Sequence, residues 1–133
     1  MSLVVVDTDV ASRVRKGTLP APLVRRLAGQ TLCVTFVTVG ELTAWSFGSQ
    51  WGPGRQKAFA QWVDGFRILP YGAEVARVWG RLTAAARQRG RTSPVNDTWL
   101  AAACIDAGLP LATLNVRDFA QHAAHGGLRL IGA

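Results

Sequence analysis

The sequence contains no apolar stretch long enough to cross a membrane. A membrane-spanning helix needs about 20 apolar residues in a row, and the longest apolar runs here are short, such as Leu3–Val6 and Leu100–Ile105. The N-terminus also lacks a basic segment followed by an apolar core and a small-residue cleavage site, which is the pattern of a secretory signal. We therefore expect a cytoplasmic protein with no membrane association.

Cysteine is scarce, with only Cys33 and Cys104 in the chain. Both lie in apolar segments, as is typical of buried thiols. No CxxC pair and no Cys/His cluster has the spacing of a metal site. The sequence therefore gives no sign of a thiolate metal centre.

Acidic residues are few, since eight Asp and Glu stand against fifteen Lys and Arg and the formal net charge is +7. A basic excess of this size suggests a polyanionic partner, such as a nucleic acid or an acidic protein. A GC-rich genome, which favours arginine over lysine, would produce the same excess. The charge alone therefore does not decide between these explanations.

Short apolar strands alternate with longer helical segments along the chain. Strands are predicted at 3–6, 32–36, 67–69, 110–113 and 128–131, and amphipathic helices lie between them. This alternation predicts an α/β protein with a parallel central sheet of four or five strands and helices on both faces, in a three-layer α/β/α arrangement. Residues 1–133 are expected to form a single domain.

The second strand is followed by a pattern typical of a helix start. Thr38 and Glu41 are spaced as in a capping box, in which the Thr hydroxyl and the acid three residues later satisfy the first helical N–H groups. We therefore expect this helix to begin at Thr38 and to run toward Phe47.

Four of the eight acids are expected at the sheet edge where sites form. Asp7 follows the first strand directly, and Glu41 lies one turn into the helix after the second strand. Asp97 opens a helix beside a basic loop, and Asp118 follows a later strand. Ligand sites in open parallel sheets form at the carboxyl ends of the strands. The sequence therefore predicts that these four carboxylates converge.

Converging carboxylates indicate a divalent metal. Without a cation they repel one another and raise each other's pKa. Mg²⁺ and Mn²⁺ prefer oxygen ligands, and beside a phosphodiester they activate water and neutralise charge. Each acid also suits a helix N-terminus, as a cap or as a charge facing the helix dipole. That second interpretation stays open at this point.

Four blocks of sequence resemble the motifs of the PIN-domain family, in the same order and across nearly the whole chain. The first is LVVVDTDV at 3–10, an apolar strand that ends in Asp. The second is VTVGEL at 37–42, where a Glu-Leu pair starts a helix. The third is NDTWLAAA at 96–103, and the fourth is LPLATLNVRDF at 109–119.

The resemblance implies a PIN fold and a VapC-like toxin. Such toxins are Mg²⁺- or Mn²⁺-dependent endoribonucleases that cut tRNA or ribosomal RNA and thereby arrest translation. A VapB-type antitoxin inhibits them, and they form homodimers. Their RNA substrate fits the basic composition of this chain.

The resemblance also implies a set of site residues. Asp7, Glu41 and Asp97 correspond to the core metal-binding acids. The family places a fourth acid at the position of Asn115 or of Asp118, and here only Asp118 is charged. The remaining positions are supporting polar groups that orient ligands or water, namely Thr8, Asp9, Thr113 and Asn115. The family commonly has Asn or Ser where Asp9 stands, so Asp9 adds a fifth acid.

Arginines near these motifs are candidates for contacts with the RNA backbone. The alternative interpretation is a solvated helix end, where cations suit the dipole. These arginines are Arg13, Arg87, Arg89 and Arg91.

Two other functions fit parts of the sequence. Asp7-Thr8-Asp9 after an apolar strand resembles the nucleophile motif of haloacid dehalogenase phosphatases. That chemistry needs a lysine at a later strand. The only lysines are Lys16 and Lys57, and both are poorly placed for this role. A non-catalytic RNA- or protein-binding module would keep the basic surface and would not need the acids.

Overall fold

A five-stranded parallel sheet forms the centre of the computed structural model, which describes residues 2–132. The strand order is β3-β2-β1-β4-β5, and every neighbouring pair is parallel. The predicted parallel sheet is therefore confirmed. The strands are β1 (Leu3–Val6), β2 (Thr31–Val34), β3 (Arg67–Ile68), β4 (Leu111–Ala112) and β5 (Leu130–Ile131).

Helices cover both faces of the sheet because side chains along β1 alternate between the faces. Val5 packs with residues of the helices over 73–88, 95–107 and 116–126, whereas Val4 and Val6 pack with the helices over 8–16 and 21–27. The three-layer prediction is therefore confirmed. The helices are α1 (Thr8–Lys16), α2 (Ala21–Leu27), α3 (Phe36–Gly48), α4 (Pro53–Asp64), α5 (Ala73–Gln88), α6 (Val95–Ala107) and α7 (Val116–Gly126).

The helix after β2 begins earlier than the capping-box pattern predicted. Thr35 is the N-cap residue of α3, with an extended backbone, and its carbonyl accepts a hydrogen bond from the Val39 N–H (3.1 Å). Thr38 lies fully buried inside the first turn, where its Oγ1 is 3.1 Å from Oγ1 of Thr8. The expectation that the strand reaches Phe36 and that Thr38 caps the helix is therefore wrong. A contact with α1, rather than capping, explains the Thr at position 38.

The apolar run at 100–105 lies inside α6, and residues 100–104 of it are buried. Cys33 and Cys104 are both free and buried, as expected. Gly108 ends α6 in the left-handed conformation (φ 68°), which a residue without Cβ adopts without strain. Within residues 2–132, none of the helices has the length and apolarity needed for a membrane span.

Candidate active site

Asp7 lies at the carboxyl end of β1 and is held by hydrogen bonds from two sides. Its Oδ1 accepts from the N–H of Val10 (2.8 Å), so Asp7 is also the N-cap of α1. Its Oδ2 accepts from the hydroxyl of Thr113 (2.6 Å), which directly follows β4. Asp7 is only 6% exposed, and Thr113 is fully buried. The carboxylate is thus fixed between the two central strands.

Burial raises the pKa of Asp7 above its ordinary value of 3.8. The bonds from Thr113 and Val10 act in the opposite direction, and the negative charges of Asp9 and Asp97 raise the pKa further. The net shift is upward. A positive charge near this carboxyl would act in the opposite direction and lower its pKa.

Glu41 lies on α3 and is oriented by a residue of α1. Its Oε1 accepts a hydrogen bond from the hydroxyl of Thr8 (2.7 Å), the residue that follows Asp7. Thr8 thereby ties the exposed Glu41 carboxylate to the end of β1. This contact places an acid five residues inside a helix beside the residue that follows Asp7.

Asp97 links the other acids electrostatically. It is half-buried in the first turn of α6, and burial raises its pKa, as do the charges of Asp118 and Glu41. Asp118 is exposed in the first turn of α7. Asp97 therefore interacts with each of the other three predicted acids, Asp7 included. The four acids therefore lie within electrostatic reach of one another through Asp97, and their convergence on a metal stays a prediction.

The donor chemistry of this group fits a hard divalent cation. All four side chains offer carboxylate oxygens, which Mg²⁺ and Mn²⁺ prefer. The ion pairs of residues 2–132 involve other acids, Asp9 and Glu74. No three Asp, Glu, His or Cys side chains in that part of the chain close around a common point. The acids thus form a repelling group whose members stand apart.

Two of the predicted supporting residues, Asp9 and Asn115, form hydrogen bonds within the protein. Asp9 forms an ion pair with Arg13 on the next turn of α1 (3.1 Å). The backbone N–H of Asn115 donates to Oγ1 of Thr113 (2.9 Å), while the Asn115 side chain lies in an exposed position. Thr113 therefore connects the N-terminus of α7 with Asp7. This two-sided hydrogen bonding was not predicted from the sequence.

The predicted RNA-contacting arginines differ in their surroundings. Arg87 and Arg91 are exposed at the end of α5 and in the loop that follows. Arg89 is half-buried, and its Nη2 donates to Oε1 of Gln121 on α7 (3.1 Å). Arg13 is engaged with Asp9. Two of the four guanidinium groups are therefore already bound within the protein.

Comparisons with known proteins agree with the site and the fold. The family model for the PIN domain matches residues 4–125. The chain belongs to the PIN-domain family. Within the family it is similar to Ribonuclease VapC5 of Mycobacterium tuberculosis, with 30% identity over 118 residues that cover 87% of this chain and 84% of that protein.

Solved structures support the same grouping. A chain of VapBC-1 from nontypeable Haemophilus influenzae is similar in fold, with a TM-score of 0.82 at 22% identity. The match covers 98% of this chain and 97% of the VapBC-1 chain. VapBC-5 from Mycobacterium tuberculosis, a member of the VapBC family of toxin-antitoxin systems, has a TM-score of 0.74 at 25% identity over the full length of both chains. The match to the PIN-domain model and the similarity to Ribonuclease VapC5 favour the nuclease hypothesis over the phosphatase hypothesis.

Proposed function

We propose that this chain is a divalent-metal-dependent endoribonuclease and the toxin of a VapBC-type pair. The observation that carries the proposal is the hydrogen bonding of Asp7 and Glu41 by Thr113, the Val10 N–H and Thr8, in a part of the chain (residues 2–132) where no ion pair involves Asp7, Glu41, Asp97 or Asp118. Asp7, Glu41 and Asp97 are the proposed metal ligands, and Asp118 is the fourth acid. The similarity to Ribonuclease VapC5 supports RNA as the substrate.

A bound Mg²⁺ or Mn²⁺ ion would supply an activated water and neutralise charge on the phosphate. The residues of the chain prepare for it. Thr113 and the Val10 N–H hold both oxygens of Asp7, and Thr8 orients Glu41. Such hydrogen bonds fix the direction of a ligand and keep it available to the cation. The exposed Arg87 and Arg91 would bind backbone phosphates.

The proposal extends to the partners of the chain. Solved relatives are VapBC assemblies, and one of them, from Rickettsia felis, is bound to a DNA fragment from its promoter. We infer a VapB-type antitoxin partner, a homodimeric toxin, a cytoplasmic location, and tRNA or ribosomal RNA as the substrate. A chain with a net charge of +7 is suited to such a polyanion.

The test is cleavage of total host RNA by the purified chain in Mg²⁺ or Mn²⁺ and again in EDTA. Discrete fragments that need both the metal and Asp7 are expected, with Asp7→Asn as the inactive variant and Asp64→Asn, an exposed acid on α4, as the matched control. Cleavage that survives EDTA would contradict the metal role. Binding of RNA without any cleavage would favour the non-catalytic module.

Replacing Thr113 by valine should weaken both the fold and the activity. The change keeps the shape but leaves Oδ2 of Asp7 and the N–H of Asn115 without their partner. The free energy of unfolding should fall by about 1–3 kcal/mol, and the cleavage rate by roughly 10- to 100-fold. Urea denaturation and a cleavage assay measure the two effects.

Thr113→Ser is the matched control, since it keeps the hydroxyl and loses only a methyl group. It should retain most of the activity. A valine variant with unchanged stability and rate would show that the bond to Asp7 has no role in holding the site.

A further inference from the structure

A polar network holds the loop before α6 against α7. The side chain of Gln121 accepts from Arg89 and donates to the carbonyl of Thr92 (3.0 Å). The next residue, His122, is only 1% exposed, and its Nε2 lies 3.3 Å from Oγ of Ser93. Two consecutive residues of α7 therefore bind the loop, and neither belongs to the four motif blocks of the sequence.

The direction of the hydrogen bonds follows from the number of protons available. The hydroxyl of Thr98 donates to the carbonyl of Pro94 (2.7 Å), so Oγ1 of Thr98 can only accept from Ser93. Ser93 thus donates its single hydroxyl proton to Thr98, and its oxygen must accept a hydrogen bond from His122. His122 therefore carries a proton on Nε2. Burial and the nearby Arg89 lower the pKa of His122, which favours the neutral ring.

The chain of hydrogen bonds joins the two helices that carry interacting acids. It ends at Pro94, the N-cap residue of α6, whose first turn contains Asp97. It begins at His122, which lies one helical turn after Asp118 on α7, so the two side chains share a face of that helix. The chain thus connects the start of α6, which carries Asp97, with the part of α7 that carries Asp118.

We propose that His122 is a positioning residue that sets Asp97 and Asp118 at the separation the metal site requires, by donating to Ser93 and through it to Thr98. The expected change in Mn²⁺ affinity rests on the proposed function. The expected change in the structure around Asp97 and Asp118 does not. His122 touches neither substrate nor metal in this role.

The first test compares His122→Leu with His122→Gln, because leucine removes the donor while the glutamine amide keeps one near the position of Nε2. Mn²⁺ affinity, followed by electron paramagnetic resonance, should fall roughly tenfold in the leucine variant. Glutamine should restore most of it. Cleavage by the leucine variant should recover at high Mn²⁺, and its affinity for RNA should not change.

Two further variants separate positioning from general loss of stability. Leu23→Val removes a methylene group from the core between α2 and the sheet, on the face away from α6 and α7. It should lower stability without altering Mn²⁺ affinity. Ser93→Ala breaks the same chain at its middle. Combined with His122→Leu, it should add little further loss, since both changes remove one pathway.

The second test needs no metal. Long-range ¹H–¹⁵N NMR spectra should show the Nε2-protonated tautomer of His122, and the amide resonances of Asp97 and Asp118 should shift in His122→Leu but not in Leu23→Val. Unmoved amide resonances would overturn the positioning role. Failure of the unaltered protein to bind Mn²⁺ would instead overturn the metal assignment, and the amide shifts would still decide the role of His122.

Discussion

Asp7→Asn should reduce RNA cleavage by roughly a thousandfold, because a metal ligand that has lost its charge no longer gives several kcal/mol of transition-state stabilisation. Each loss of about 1.4 kcal/mol lowers the rate tenfold. The loss should be in catalysis rather than in folding. Asparagine can still accept from the Val10 N–H through Oδ1, and its amide can donate to Oγ1 of Thr113. Single-turnover cleavage of a labelled RNA measures the rate, and circular dichroism checks the fold.

Asp64→Asn is the matched control for this prediction, since it removes one carboxylate from an exposed position on α4. It should leave the rate unchanged. Glu41→Gln and Asp97→Asn should behave like the variant at position 7. A fully active variant at any of these three positions would remove that residue from the proposed metal site.

The second large effect concerns stability, and its sign depends on pH and on the metal. Burial raises the pKa of Asp7 in the folded protein above 3.8, its ordinary value and the one we assign to the unfolded chain. The carboxyl therefore contributes most to stability below that value, and this contribution is lost as the pH rises through the higher folded pKa. Metal-free Asp7→Asn should be more stable than the unaltered protein at neutral pH, and this advantage should vanish in acid.

Mn²⁺ should reverse that order. A ligand that binds only the folded state stabilises it by about 2.7 kcal/mol at a free concentration one hundred times its Kd. The unaltered protein should gain this amount, and the asparagine variant much less. Urea denaturation with and without Mn²⁺, repeated across a pH series, measures both effects. Equal stabilisation of the two proteins would contradict a metal site at Asp7.

The parts of the fold that were predictable have strong local signals. The β-branched run of β1 is central and buried, and the sequence alone predicts it and the acid that ends it. Alternation of strands and helices likewise predicts the parallel sheet, because parallel strands need helical crossovers. The convergence of Asp7 with Asp97 follows from sheet topology, even though ninety residues separate them.

The start of α3 was not predictable because the pattern has two meanings. Thr38 and Glu41 satisfy the spacing of a capping box, yet both are near Thr8 of another helix. Capping is a local interaction that sequence spacing describes, whereas the contact with α1 exists only after the sheet has formed. Tertiary structure therefore decided the role of these two side chains.

The network behind the acids was missed for a related reason. Ser93 and His122 are 29 residues apart, and neither belongs to a recognisable motif. Arg89 was grouped with its exposed neighbours Arg87 and Arg91 because all three lie in one basic stretch, whereas its side chain is bound to Gln121. The one usable cue was the spacing of four residues between Asp118 and His122, which places them on one face of a helix.

The bond from Thr113 to Asp7 spans 106 residues, and it has a consequence for the order of synthesis. β1 leaves the ribosome well before β4, its neighbour in the sheet, and before the hydroxyl that secures Asp7. Contacts this distant in sequence form late and slowly. Under the proposed function, a nascent chain carries Asp7 long before it is a nuclease, because 106 more residues must be added before the Thr113 hydroxyl can hold that acid in place.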